Sequence, residues 1–214
     1  MDLLERFKRA GEILFSSEDE ESRDEILLRD MARVRHLAEF RAAVHEAGHA
    51  VVAWRSPYVV SIQMITIDNA GVGCGQVQYT LSHAGGGSPQ GNWDRVAISL
   101  AGMAGELVEF GKLKSGGSKQ DLLNARAAAY ALINNYKDPI WKKEVADTDI
   151  DMGRSFRRVD PRVRKILNLG FARAKYICEQ EKVRIAHIVT LASQNGPLGA
   201  KDIREVFGKR PFHF

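Results

Sequence analysis

Apolar residues recur at helical spacing from the first turn of the chain. Leu3, Leu4, Phe7, Ala10, Ile13 and Leu14 predict a short amphipathic helix. Arg6, Lys8 and Arg9 balance Asp2, Glu5 and Glu12 along it, which favours docking on protein over a membrane surface. Residues 16–22 read as an acidic polar linker. Ser22 and Glu25 then form a capping-box pattern for a helix running, with or without a break, to Trp54, with Pro57 marking its end. Stretches 59–67 and 73–81 are rich in β-branched residues and partly alternate, and Asp68-Asn-Ala-Gly-Val72 between them reads as the turn of a hairpin. Residues 84–91, with three consecutive glycines and Pro89, read as a mobile loop without the lysine and Ser/Thr of a phosphate cradle. Helices are expected over 92–110 and 120–136, the second closed by Asp138-Pro139 and the two joined by a Gly/Ser-rich loop. Asp160-Pro161 opens a long helix to about residue 194, and Asn195-Gly196-Pro197 breaks the chain before a final short one. No internal repeat is seen. The predicted class is α+β, mainly helical, with a small sheet or hairpin and a C-terminal helical bundle.

Composition narrows this little. The 214 residues can bury a substantial core, and 44% hydrophobic with 27% charged residues is ordinary for a globular chain. No run of about 18 apolar residues is present, and acidic residues interrupt the N-terminus where a signal peptide would be apolar, so a cytoplasmic location is expected. Cys74 and Cys178 form no CxxC pair and are expected as free thiols. The net charge of +4 is mildly basic. The cluster Arg154, Arg157, Arg158, Arg162, Arg164 and Lys165 lacks any nucleic-acid motif or interleaved aromatics, and it reads as a solvated helix end. Nucleic acid is therefore not an expected partner.

The candidate chemistry lies in the second predicted helix. Within residues 41–54, His45-Glu46-Ala-Gly-His49 is a His-Glu-x-x-His pattern flanked by Ala42, Ala43, Val44, Ala47, Ala50, Val51, Val52 and Ala53. On a helix, positions i and i+4 share one face, so both imidazoles can reach one tetrahedral zinc ion while Glu46 stands beside the open coordination position as general base. Buried imidazoles and a carboxylate in so apolar a helix need a compensating partner, and a metal is the simplest. A catalytic zinc usually takes a third protein ligand. Arg55 lies six residues beyond His49, where an extended motif would carry a third histidine, so the ligand is expected farther on, with Glu106, Glu109 and Asp121 as candidates. An edge strand beside the metal helix could hold extended substrate through main-chain hydrogen bonds. His83 is a candidate for the oxyanion site, against the plainer reading of a surface histidine.

Taken together, these segments resemble the peptidase domain of the FtsH family of ATP-dependent zinc proteases, peptidase family M41. His45-Glu-Ala-Gly-His-Ala-Val-Val52 resembles its metal helix and Ser61-Ile-Gln-Met-Ile-Thr-Ile67 its following strand. Leu100-Ala-Gly-Met-Ala-Gly-Glu106 is similar to its Leu-Ala-Gly-Arg-Ala-Ala-Glu-Glu segment, and Ser115-Gly-Gly-Ser-Lys-Gln-Asp121-Leu122 to its Thr-Thr-Gly-Ala-x-x-Asp-Leu motif. Residues 159–207 resemble its C-terminal helices. Met103, Leu107, Gly116 and Ser118 depart from the pattern. The resemblance implies Zn2+ held by His45, His49 and Asp121, with Glu46 catalytic. Ser118-x-x-Asp121 also fits a helix cap, so a purely structural Asp121 is the rival reading. Glu106 is read as a structural acid accepting the second N–H of a histidine.

The implied division is an N-terminal segment, 1–40, then a zinc peptidase-like domain, 41–208, and a tail, 209–214. The implied function is a metalloendopeptidase acting on unfolded or flexible protein substrates, without the ATPase domain or transmembrane segment usual in the family. A separate ATPase or an adaptor is an expected partner, and self-assembly is open. A noncatalytic interaction protein of the same fold is the alternative, and a basic nucleic-acid-binding module a more distant one.

Overall fold

The computed structural model describes residues 23–67, 75–113, 119–135 and 159–208, with side chains from residue 38 onward except at 84 and 86. The N-terminal amphipathic helix, the acidic linker, the hairpin turn, Cys74, the 114–118 loop, Arg154, Arg157 and Arg158 and the tail all lie outside them. By contacts the chain divides into two units, Met1–His36 and Leu37–Phe214. Within the first, the described residues belong to the start of helix α1 (Arg23–Arg55). Everything below concerns the second.

The second unit is mainly helical with one small sheet, the class expected from sequence. After α1 come strands β1 (Val59–Thr66) and β2 (Gln76–Leu81), then α2 (His83–Gly87), α3 (Pro89–Phe110) and α4 (Lys119–Asn134), and finally α5 (Pro161–Gln180), α6 (Lys182–Asn195) and α7 (Ala200–Phe207). The strands pair antiparallel with Ile62 opposite Tyr79 and Ile65 opposite Val77. Register shifts between Val59 and Ser61 and between Ile62 and Met64 bring every third residue of β1 inward, Val59, Ile62 and Ile65, rather than every second. That is why the sequence alternated only partly. On the far side of β1, Ile65 exchanges both main-chain hydrogen bonds with Leu198, at 3.0 and 2.8 Å. Among the described residues, β2 pairs only with β1, so its other edge carries no strand.

Two expectations are corrected. The 84–91 stretch is not a loop: Ser82 accepts from the Gly85 N–H to start α2, and Ser88 accepts from the Gly91 N–H to start α3, with Pro89 in its first turn. Two serine caps and a proline suited to a helix N-terminus outweigh the cost of the glycines. The long C-terminal helix is also two helices, parted at Glu181, whose φ of −103° and ψ of 17° leave the helical region. Its buried carboxylate takes Arg55 from α1 and Arg184 from α6. A buried charge needs such partners, and turning the chain at Glu181 brings them to it.

The core that carries the site is the crossing of α1 and α3. A methyl group on Gly48 would sit 2.5 Å from the Ala101 carbonyl oxygen, and one on Gly105 would sit 3.3 Å from the Gly48 Cα. The two helix backbones therefore touch, and the small residues Ala47, Ala101 and Ala104 around them are fully buried. Phe171, Ile166 and Leu167 of α5 are likewise fully buried, as is Ile188 of α6.

Candidate metal centre

His45 and His49 lie one turn apart on α1, and their Nε2 atoms face each other at 3.1 Å. Asp121, in the first turn of α4, brings Oδ2 to 3.0 Å from the His45 Nε2 and 3.4 Å from the His49 Nε2. These three are the group of potential metal donors found among the described residues. Zinc–nitrogen bonds of about 2.0–2.1 Å imply about 3.3 Å between neighbouring donors of a tetrahedron. The observed triangle has that size, so the donor set fits zinc in both chemistry and spacing.

The remaining ring nitrogens explain why these corners point inward. His49 Nδ1 lies 2.7 Å from the Ile98 carbonyl oxygen, which can only accept, so Nδ1 carries the proton and Nε2 presents its lone pair. His45 Nδ1 lies 2.8 Å from Glu106 Oε1 and donates to it. Both orienting groups come from α3. Two lone pairs and a carboxylate oxygen aimed at one point repel unless a cation lies between them. Without a metal, a proton on His45 serves: burial alone would lower its pKa, but the Asp121 and Glu106 hydrogen bonds and the surrounding negative charge push it up to about 9. Burial likewise opposes ionisation of Asp121 and Glu106. The hydrogen bond from His45 and the nearness of both imidazoles nonetheless hold Asp121 well below the usual carboxylate range, and hydrogen bonds from His45 and Arg41 lower Glu106.

Glu46 is buried beside His45, and burial raises its carboxyl pKa against the pull of both histidines. Its carboxylate lies against Gly75, just before β2, where a methyl group would come within 2.6 Å of Oε1. Glu109 is exposed on α3 and His83 is exposed at the start of α2, both outside the cluster.

A sequence profile described as Peptidase family M41 matches residues 34–206, most of the chain, from within α1 into α7. The chain belongs to peptidase family M41. Among curated M41-like relatives, the ATP-dependent zinc metalloprotease FtsH of Rhodothermus marinus is 25% identical over 186 residues, covering 79% of this chain and 26% of that protein. Mouse mitochondrial inner membrane m-AAA protease component AFG3L2 is 25% identical over 183 residues, covering 79% and 22%. The ATP-dependent zinc metalloprotease FtsH 2 of Symbiobacterium thermophilum is 26% identical over 219 residues, covering 93% and 36%. The chain thus spans between about a fifth and about a third of the length of these relatives. No helix among the described residues is long and apolar enough to cross a membrane.

Several residues around this cluster carry no motif of their own. A methyl group on Gly102 would lie 2.3–2.5 Å from three atoms of the His45 ring, so the ring occupies the space that a side chain at 102 would fill. Arg41 binds the second oxygen of Glu106. The Ile98 carbonyl is main chain and leaves no mark in the sequence. Gly102 and Gly105, placed just before Glu106 in the apolar stretch of α3 that starts at Leu100, are the readable signal.

Proposed function

We propose that this chain is a zinc-dependent metalloendopeptidase domain in which His45, His49 and Asp121 hold the metal and Glu46 is the catalytic base. The observation that carries the reading is the convergence of two imidazole lone pairs and one carboxylate oxygen, with each ring's other nitrogen tied to α3. Zinc at that point would supply Lewis-acid polarisation of the scissile carbonyl and bring the pKa of a bound water to about 7. Glu46 takes the proton released as water attacks and passes it to the departing amine. Its burial, by raising its proton affinity, suits it to both transfers. Glu106 holds the His45 ring by accepting from Nδ1, and Ile98 holds His49 in the same way.

The substrate is an unfolded or flexible protein segment. An extended chain can add to the edge of β2 that no described strand occupies, in a strand that begins one residue after the glycine packed on Glu46. The ATP dependence in the relatives' names fits a division of labour in which an ATPase delivers unfolded chain to this domain. Two measurements on purified protein test the reading. Glu46→Gln should retain one zinc per chain and lose peptide-bond hydrolysis by about 100-fold or more. Asp121→Asn should lose metal more completely than Glu106→Gln. Metal loss in Glu106→Gln alone would move the third ligand to Glu106. Wild-type protein that binds zinc yet cleaves none of a set of unfolded substrates, with an ATPase partner present or absent, would favour a noncatalytic interaction role.

A further inference from the structure

Arg41 precedes His45 by four residues, so the two side chains share a face of α1. The arginine's Nε donates to Glu106 Oε2, while Oε1 of the same carboxylate accepts from His45 Nδ1 at 2.8 Å. The guanidinium is itself fixed. Its second nitrogen donates to the Lys112 carbonyl at 2.9 Å, just past the end of α3, and its carbon lies 4.7 Å from the centre of the Phe110 ring. Phe110 is braced edge-on by Phe40, with ring centres 5.7 Å apart.

We propose that Arg41 is a positioning residue for the metal centre, acting through Glu106 to hold the His45 ring with Nε2 aimed at the site. The proposal rests on the reading of His45 as a zinc ligand. Charge supplies the first reason. Glu46, Glu106 and Asp121 gather three carboxylates around two histidines, and only with Arg41 and a divalent cation does the group become formally neutral. Glu106 is the carboxylate that would otherwise lie buried facing one imidazole N–H, an arrangement that leaves a full negative charge with little compensation. Geometry supplies the second. A fork of planar donors reaches Glu106 and the Lys112 carbonyl at once, so the carboxylate cannot rotate without breaking a charged hydrogen bond. A lysine could supply the charge but not the fork.

A rival account makes Arg41 no more than a clamp between α1 and the end of α3. The two separate on zinc affinity, measured by competition with a chromophoric chelator at fixed pH, alongside the melting temperature of metal-free protein. Arg41→Met keeps an apolar stem over Phe110 and should bind zinc about 10–100-fold more weakly, the range for partners that orient a metal ligand. Arg41→Lys should fall between it and the wild type, and it carries the same comparison should the methionine variant not fold. Because the arginine acts through Glu106, Arg41→Met combined with Glu106→Gln should bind zinc no more weakly than Glu106→Gln alone. An Arg41→Met affinity within about twofold of wild type, or losses that add in the double variant, would overturn the proposal.

A zinc-independent measurement keeps the two claims apart. Proton NMR of metal-free wild type should show a downfield, exchange-protected His45 Nδ1–H resonance that broadens or vanishes in Arg41→Met. If the wild type takes up no zinc, the ligand reading fails and this resonance alone judges Arg41: its loss in the variant upholds the positioning role, and its persistence rejects it.

Discussion

Gly102→Ala puts one methyl group where the His45 ring lies. From an ideal backbone that carbon would sit 2.3 Å from Nε2, 2.4 Å from Cδ2 and 2.5 Å from Cε1. Ordinary contact needs about 3.5 Å, so the ring or the helix must yield by about 1 Å. Neither can do so freely. The ring is tied to Glu106 at 2.8 Å and faces Asp121 at 3.0 Å, while α3 and α1 already touch backbone to backbone at Gly48 and Gly105. Overpacking of this kind costs about 1–3 kcal/mol of stability. Metal–ligand distances tolerate only about 0.2 Å, so the larger effect should fall on the metal. Zinc affinity should drop by at least about 100-fold, more than the loss of an orienting partner alone. The assay is the gain in melting temperature on adding zinc. Wild type at a free zinc concentration of about 100 times its dissociation constant gains about 2.7 kcal/mol, and in Gly102→Ala at that concentration most of this gain should vanish. Gly87→Ala, whose methyl group meets no atom within 4 Å, is the control and should keep the full gain. A Gly102→Ala protein with wild-type zinc affinity would refute the cradle argument and the ring position it assumes.

Acid–base behaviour gives a second prediction. With the folded pKa of His45 raised to about 9, its protonated pairing with Asp121 and Glu106 stabilises metal-free protein fully below the unfolded value of 6.5 and is lost as pH rises through about 9. Zinc bound as proposed would displace that same proton, so apparent zinc affinity should climb roughly tenfold per pH unit from about pH 7 and level off near pH 9, as read by chelator competition. A flat profile would contradict the assignment. Third, Cys178 is buried against the Ala101 carbonyl, and burial pushes its thiol up to about 12. Iodoacetamide at about pH 8 should leave the Cys178 peptide unmodified in native protein and label it fully in denaturant, as mass spectrometry would show; native labelling would contradict the burial.

Much of the fold was legible because its signals are local. The capping pattern before α1, Pro57 after it, the β-branched runs of the hairpin and Asp160-Pro161 before α5 each act within a few residues, and each element appears close to its predicted place. The errors arose where tertiary partners decide. Three glycines announce a loop unless Ser82 and Ser88 are recognised as caps on both sides. Residues 178–184 hold no glycine or proline to announce a break, and the Glu181 carboxylate buried there is met by Arg184 nearby and by Arg55 from α1. At the site the His-Glu-x-x-His spacing predicts its own geometry. The shared point reached by Asp121 came from a family resemblance and not from spacing. Arg41 and Ile98 act through contacts with Glu106 and His49, residues far apart in sequence, and the glycine at 102 marks a close approach without naming the His45 ring that makes it.

The one-sided pairing of the small sheet has a consequence for selectivity. Among the described residues Leu198 bonds to β1, so a polypeptide docking on the sheet as proposed would meet the rim of β2, where Gln76, Gln78 and Thr80 are exposed while Val77, Tyr79 and Leu81 are partly buried. Such a rim would grip main-chain amide groups, which every protein possesses. Discrimination among clients would then depend less on their sequence than on whether a stretch can be pulled straight enough to lie along it.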